Sequence, residues 1–349
     1  MAYTTINKPS DYFNTKLYTG NATNPTTISG IGFQPDWVWT KLRAGGTEGH
    51  RLCDAVRGAT KDLLSNTPSA ELTNTTGLLS FNSDGYVIGN SNGYNFNSAT
   101  FVSWNWKANG QGSSNTDGSI NTTYTSVNTT AGFSISKYTG NTTDGATVGH
   151  GLGAVPDMII GKDLSDTSAW GVWHKDLTNA GYRLTLDTSA AQSDDTALFG
   201  GSSRTAPTST VFSIGSGGGL NGPNANVVYC FTSIKGYSKI GSYTGNGNSD
   251  GTFVYTGFKP AWVMTKRTDT TSSWDIHDTK RDTFNVASKH LLAEDSGVEG
   301  NTAILDILSN GFKFRSSNAD RNASGGTYIY MAFAESPLVG TNGVTAKAR

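Results

Sequence analysis

The chain has 349 residues, a formal net charge of -1 and no run of basic residues among its 26 Lys and Arg. Phosphate backbones attract proteins through basic patches, so this charge balance argues against a nucleic-acid partner. With 43 glycines, 15% charged residues and 11% aromatic residues, the composition favours strands and turns over helices, and it predicts an all-β protein.

Short runs of β-branched and aromatic residues, bounded by Gly, Pro, Asn or Asp, predict the strands. In chain order they are DWVWTK, FVSWNW, TVFSI, AWVMTK and TYIYMAF. SDGY at residues 83–86 and SNGF at residues 309–312 predict hairpin turns. The glycine run GSGGGLNG at residues 215–222 is expected to be a flexible hairpin tip. Helical content should be small, and its best candidate is residues 287–293.

A Tyr-Thr-Gly-Asn element occurs three times, beginning at Tyr18, Tyr138 and Tyr243. A proline follows each tyrosine after 17, 18 and 17 residues, and a lysine follows each proline after six residues. These positions are Pro35, Pro156 and Pro260, followed by Lys41, Lys162 and Lys266. Chance does not preserve such spacing, so the chain is predicted to contain three tandem repeats.

The repeats are roughly a hundred residues long, which is the size of a small domain and too long for a solenoid repeat. We predict three homologous domains, each a β-sandwich or jelly roll. Unit one is residues 1–109, and unit two is residues 110–235 with a linker rich in Gly, Ser and Asn at its start. Unit three is residues 236–349 and includes a C-terminal tail.

Aromatic, histidine and charged residues cluster in the middle of each unit. Unit two has WGVWHKD, unit three has WDIHDTKRD, and unit one has HRLCDAVRG, in which Asp54 and Arg57 repeat the spacing of Asp278 and Arg281. An indole beside charged groups suits a sugar, because the apolar face of a pyranose stacks on the ring while its hydroxyls form hydrogen bonds. The glycan-binding candidates are Trp170, Trp173, His174, Trp274, His277, Asp278 and Arg281.

A second interpretation of the same cluster stays open. In it, Trp170 and Trp274 point inward as core residues, and each Asp–Arg pair is a salt bridge that stabilises its domain. The Asp–Arg spacing occurs in unit one without the tryptophan, which favours this structural interpretation. Burial of the two tryptophans decides between the interpretations.

Catalytic patterns are not found, and we expect neither an enzyme nor a cofactor. The five histidines form no paired metal spacing, and the chain has no Gly-x-Ser-x-Gly element. A glycosidase needs two facing carboxylates, whereas most aspartates lie in turn contexts, so glycan hydrolysis is the least favoured function. The turns NTDGS and GNSDG are predicted to be Asx-turns and not calcium loops. Cys53 and Cys230 are expected to be free buried thiols.

No stretch is apolar enough to span a bilayer, and the opening MAYTTINKPSDYF lacks the plan of a signal peptide. We therefore expect folding in a cytoplasm without membrane insertion. Four segments carry a resemblance to a family: the opening through LYTGN, SNTDGSINTTYTSVNTTAGFSISKYTGN, GYSKIGSYTGNGNSDGTFVYTGFKPAWVMTKR, and LSNGFKFRSSNADRNASGGTYIYMAFAESP. They resemble a repeat family of structural and tail-fibre-like proteins of bacteriophages, many of them marine.

This resemblance implies a jelly-roll or concanavalin-like sandwich and a place in the virion, assembled in the host cytoplasm. The expected function is a tail-fibre or tail-associated protein that contacts host surface glycans, with capsid decoration or cementing as the alternative. The expected partners are other virion proteins and further copies of the chain, with a trimer as the expected oligomer. The resemblance transfers no catalytic or binding residue.

Overall fold

The computed structural model describes residues 4–339, in which the regular structure is almost entirely β, as the composition predicts. The predicted tail of unit three lies, from residue 340 onward, outside the described residues. Each described helix is short: a 3-10 turn lies at Pro9–Asp11, and three four-residue helices follow later in the chain. The all-β prediction is confirmed.

Unit one contains nine strands and one helix. They are β1 (Phe13–Thr19), β2 (Thr26–Ser29), β3 (Trp37–Ala44), β4 (Arg51–Asp54), β5 (Lys61–Asp62), β6 (Leu72–Thr73), β7 (Leu78–Asn82), β8 (Gly85–Ile88), α1 (Asn92–Asn95) and β9 (Thr100–Trp106). Four of the strands form a sheet in the order β1-β9-β3-β4, and a smaller sheet has the order β2-β8-β7.

Unit two follows the same plan with one strand added at its start. Its elements are β10 (Tyr124–Asn128), β11 (Phe133–Thr139), β12 (Ala146–Gly149), β13 (Met158–Asp163), β14 (Gly171–His174), β15 (Tyr182–Thr185), β16 (Ser193–Asp194), β17 (Val211–Ile214), α2 (Gly218–Asn221) and β18 (Ala225–Phe231). The order β11-β18-β13-β14 matches that of unit one, and β10 pairs with the outer edge of β11.

Unit three repeats the plan again. Its elements are β19 (Ser238–Thr244), β20 (Phe253–Tyr255), β21 (Phe258–Arg267), β22 (Trp274–Asp278), β23 (Ala287–Leu292), β24 (Gly300–Leu308), β25 (Gly311–Phe314), α3 (Ala319–Asn322) and β26 (Thr327–Pro337). The order β19-β26-β21-β22 recurs, and the sheet continues through β23, β24 and β25 to β20. We call the recurring four-stranded arrangement the main sheet of each unit.

The three main sheets share one hydrophobic cluster, the central core. Side chains alternate between the two faces of a strand, so every second residue of β9, β18 and β26 enters this core. The residues are Val102, Trp104 and Trp106; Val227, Tyr229 and Phe231; and Ile329, Met331 and Phe333. Their neighbours on the opposite faces pack into separate clusters that belong to one unit each. The central core therefore joins the three units, while each unit also keeps a core of its own.

Several predictions for short segments can be compared with the structure. The predicted strands and both hairpin turns are present, and both cysteines are free and buried. The helix predicted at residues 287–293 is wrong, because that segment forms β23, which pairs with β22 on one side and β24 on the other. The hairpin tip predicted at residues 215–222 is also wrong: β17 and β18 lie in different sheets, and the segment between them contains α2. The unit boundaries stay a prediction.

Candidate functional site

The Tyr-Thr-Gly-Asn element has a structural explanation that is the same in each unit. The tyrosine hydroxyl donates to a backbone carbonyl in the short helix, and the backbone N–H of the element's asparagine donates to a buried asparagine of that helix. The hydroxyl bonds are Tyr18 to Tyr94, Tyr138 to Leu220 and Tyr243 to Arg321; the amide bonds are Asn21 to Asn95, Asn141 to Asn221 and Asn246 to Asn322. The element therefore docks the end of the first main strand onto the helix.

The glycine of the element is required by a close approach. A Cβ atom on Gly20 would overlap the backbone carbonyl oxygen of Phe96, and Gly140 and Gly245 approach the carbonyls of Gly222 and Ala323 in the same way. Because the obstacle is backbone, no rotamer change relieves the overlap.

The lysine that follows each proline is buried at the end of the third main strand. Each ammonium group donates to the carbonyl of the next residue, and Lys41 and Lys266 also donate to carbonyls of a neighbouring unit. Burial lowers the pKa of Lys41, Lys162 and Lys266 to about 8 in each case. The spacing that recurs in the three repeats thus ends at a buried lysine, whose ammonium group donates hydrogen bonds to backbone carbonyls at the end of a strand.

A ring N–H joins each unit to a neighbour at the same position of the fold. His50, Trp170 and Trp274 are equivalent, since each lies opposite the buried lysine on the fourth main strand or directly before it. Each donates to a backbone carbonyl of another unit: His50 Nε2 to Leu292 (2.9 Å), Trp274 Nε1 to Thr185 (2.9 Å) and Trp170 Nε1 to Leu64 (2.8 Å). Unit one contacts unit three, three contacts two, and two contacts one, which closes a ring.

Backbone hydrogen bonds close the ring a second time, in the opposite direction. The amides of Glu71, Gln192 and Glu299 donate to the carbonyls of Leu164, Thr268 and Arg43, each at 2.9 Å. Each accepting carbonyl lies two residues after the buried lysine of its unit. The repeats are therefore arranged with approximate threefold symmetry.

Buried ionic groups accompany these contacts in units one and three. Arg57 pairs with Asp54 and Glu71, and Arg281 pairs with Asp278 and Glu299. The neighbouring unit completes each group, because Tyr229 Oη donates to Asp54 (2.7 Å) and Trp104 Nε1 donates to Asp278 (3.0 Å). Each carboxylate is thus held by an arginine of its own unit and an aromatic donor of the next.

Unit two replaces all members of this group together. The register of the main sheets places His174, Leu177 and Gln192 where the other units have aspartate, arginine and glutamate. At the position of Tyr229 and Trp104, unit three has Met331, which has no hydrogen to donate. Where the carboxylate is absent, its donor is absent as well, so the replacement leaves no unpaired charge.

His174 is neutral in this setting. Its Nδ1 accepts a hydrogen bond from the Asp176 amide (3.1 Å), so this nitrogen carries no proton. Burial, assisted by the charge of Lys175, lowers the pKa of His174 to about 3. His50 and His277 are also buried, and burial lowers the pKa of each well below the ordinary value.

All seven glycan-binding candidates lie inside the protein, and none is more than 5% exposed. Trp170 is 0% exposed and Trp274 is 1% exposed, and both rings belong to the central core. Trp170, Trp274 and Asp278 each form a hydrogen bond with another unit. Trp173 lies instead in the core of unit two itself. The burial of all seven candidates favours the core interpretation. Glycan binding by these seven residues remains a prediction, and all seven are buried.

Two surface cavities lie at unit interfaces beside the outer edge of a first main strand. The larger, of about 550 Å³, lies beside β19 and is lined by residues of units two and three that include Lys175, Lys235, Lys239 and Tyr255. The smaller, of about 70 Å³, lies beside β1 and is lined by residues of units one and three that include Asn14, Thr279 and Glu335. Beside β11, strand β10 occupies the corresponding edge.

These cavities were not predicted from the sequence, because no shared motif marks them. The sequence does contain one indication of them, which is a difference between equivalent positions of the repeats. The residue four positions before the repeated tyrosine is Asn14 in unit one, Ser134 in unit two and Lys239 in unit three. A third cavity, of about 340 Å³, lies further along β19 and is lined largely by hydroxyl-bearing residues.

Among residues 4–339, no group of three or more His, Cys, Asp or Glu side chains could hold a metal ion. In the same part of the chain, none of the helices has the length and apolar character needed to cross a membrane.

A protein-family model described as a domain of unknown function (DUF7483) matches residues 8–337. Neither the curated proteins nor the solved structures contain a significant match.

Proposed function

The chain belongs to the DUF7483 family, and we propose that it is a non-enzymatic structural protein of a bacteriophage particle, in which it serves as a tail-fibre or tail-associated component that contacts the host surface. The observation that carries this proposal is the closed ring of inter-unit hydrogen bonds around the central core. The resemblance of the repeats to phage tail-fibre-like proteins supports it independently.

The buried ionisable groups support a structural role. Lys41 and Lys266 donate hydrogen bonds to a neighbouring unit. The buried Asp–Arg pairs lie within units one and three, and each aspartate also accepts a hydrogen bond from a neighbouring unit. A catalytic group has to reach a substrate, whereas these groups are enclosed and mutually satisfied. The arrangement favours a rigid body that presents surface loops, as a particle protein exposed to the environment requires.

We further propose that each unit is one β-sandwich of the jelly-roll or concanavalin-like kind. The main sheet of a unit forms one layer, and the smaller set of strands forms the other, with the unit's own core between them. The assembly is then three sandwiches whose main sheets converge on the central core.

Capsid decoration is the second candidate, and the approximate threefold arrangement of the units favours it. A body with three equivalent sides can match a local threefold environment on a shell with one chain. Both candidate functions include association with other virion proteins and with further copies of the chain, as a trimer.

Imaging of phage particles tests the proposal. The gene product is tagged at its C-terminus, and purified particles are labelled and viewed by cryo-electron microscopy. Label at the tail supports the tail-associated function, and label over the shell supports decoration. Particles that carry no label, although the tagged protein is made and folded in the host, would overturn both.

A further inference from the structure

The larger cavity beside β19 combines a defined shape with positive charge. Its lining includes the lysines Lys175, Lys235 and Lys239 and the hydroxyl-bearing residues Ser233, Ser238 and Thr256. Its volume of about 550 Å³ is within the range of small-ligand sites. Lys175 forms an ion pair with Asp157 (2.9 Å), and none of the described residues that line the cavity is acidic.

An aromatic platform lies beside these charges. Tyr255 is 48% exposed at the end of β20, and the Lys239 ammonium lies 5.4 Å from the centre of its ring. A tyrosine ring offers an apolar face on which a sugar ring stacks. The ammonium lies over one face of this ring, which leaves the other face for a sugar and places the cation to pair with an anionic substituent.

The excess of lysines is specific to this interface, because the cavity beside β1 is lined by one lysine and one glutamate among its charged residues. The structurally equivalent cavity beside β1 has Asn14 at the position of Lys239 and Thr279 at the position of Lys175, and it is much smaller. At the third interface, β10 pairs with the corresponding edge of β11. The same backbone framework thus accommodates neutral side chains at both positions, so the fold itself does not require the lysines.

Another cavity, of about 340 Å³, lies further along the same strand. Its lining includes Ser242, Thr244 and Thr178 together with one carboxylate, that of Asp176. We call the two cavities together the groove. Serine and threonine hydroxyls donate and accept hydrogen bonds, as the hydroxyls of a saccharide require. A ligand longer than one sugar unit would lie along β19 and contact both cavities.

We propose that this groove binds an acidic saccharide, with its carboxylate or sulfate group between Lys175 and Lys239 and a sugar ring against Tyr255. A saccharide is favoured over a nucleic acid because the chain has no run of basic residues to follow a phosphate backbone, whereas an acidic saccharide needs only the local charge of this cavity. The biological role of the site rests on the proposed attachment function, but binding itself is a property of the isolated chain.

Isothermal titration calorimetry on the purified chain tests the site with tetragalacturonate and a heparin-derived tetrasaccharide as probes, each beside a neutral counterpart. At least one acidic probe should bind, and its neutral counterpart should bind about tenfold more weakly, because charge-assisted hydrogen bonds are lost. The double variant K175T/K239N, which installs the residues of the equivalent cavity, should lower the affinity at least tenfold. Tyr255→Ala should lower it as well.

Lys107 provides the matched control, because its ammonium lies 5.9 Å from the ring of Tyr12, outside the groove. Lys107→Gln should leave binding unchanged. The proposal is overturned if neither acidic probe binds, if K175T/K239N binds as the unchanged protein does, or if a single-stranded oligonucleotide binds more tightly than both saccharides. Binding in solution together with unlabelled particles would remove the proposed phage function and leave the site intact.

Discussion

The hydroxyl of Tyr229 in unit two donates a 2.7 Å hydrogen bond to the carboxylate of Asp54 in unit one. Both residues are buried, and Arg57 holds the same carboxylate from its own unit. A residue of unit two thus stabilises a buried charge of unit one. It explains why unit two, whose equivalent position faces Met331, has His174 in place of the aspartate.

Installing a carboxylate in unit two tests this coupling. His174→Asp alone should destabilise the protein by about 3–5 kcal/mol, because it buries a charge beside Leu177 without a partner. The triple variant H174D/L177R/Q192E restores the aspartate, arginine and glutamate of the other units but not the aromatic donor, and it should recover at least half of the loss. Urea unfolding measures both free energies.

A surface pair serves as the control for that experiment. Arg204 and Asp194 are both exposed, and Arg204→Ala should change the free energy of unfolding by less than about 1 kcal/mol. A triple variant no more stable than His174→Asp alone would show that the group of three residues is not a transferable unit.

The repeated glycine provides a second prediction. Gly140→Ala should destabilise the chain by at least about 1–3 kcal/mol, because the new Cβ overlaps the backbone of Gly222. Gly218→Ala is the matched control in the same unit, since nothing lies within 4 Å of its added Cβ. Thermal unfolding compares the two variants, and equal melting temperatures would contradict the packing explanation of the element.

The indole N–H of Trp274 can be separated from its ring. Trp274→Phe keeps most of the buried ring but leaves the Thr185 carbonyl without its donor, so it should cost about 1–3 kcal/mol beyond the loss of ring volume. Trp274→Ala should cost more, because a cavity opens in the central core. A free energy of unfolding for Trp274→Phe equal to that of the unchanged protein would argue against the inter-unit hydrogen bond.

Acid should weaken the fold through His174. Its pKa is about 3 in the folded protein and about 6.5 in an unfolded chain, so below pH 6.5 the unfolded state takes up a proton that the folded state does not. The stability contributed by the neutral ring is full above pH 6.5 and falls by about 1.4 kcal/mol per pH unit below it. His174→Gln should flatten the pH dependence by this amount between pH 6.5 and 5, as urea unfolding at each pH would measure. An unchanged slope would place the titration elsewhere.

The repeats and the fold class could be predicted from the sequence, but the way in which the repeats pack against one another could not. The spacing from Tyr18 to Lys41 recurs because each unit needs the same docked turn and the same buried lysine, so it was visible in one chain. The equivalence of His50 with Trp170 was hidden, because two different side chains provide the same ring N–H. Which carbonyl they meet depends on how whole sheets pack, and no local pattern encodes that.

For a related reason, the sequence alone could not distinguish a glycan-binding site from a buried interface. Tryptophans beside aspartate and arginine suit a sugar site, but the same residues also suit a buried interface, and burial is a tertiary property. Lys175 and Lys239 come from different units and form one cavity only after the units pack. Comparison of equivalent repeat positions was the one sequence signal that distinguished Lys239 from Asn14.

The three repeats form one body through a shared core and a closed ring of contacts. Differential scanning calorimetry of the whole chain tests it most directly, because it compares the heat absorbed with the heat expected for a single cooperative unit. A single transition with a calorimetric to van't Hoff enthalpy ratio of about 1 is predicted. Separate transitions, or a ratio of about 3, would mean that the repeats unfold as independent domains and would contradict the account.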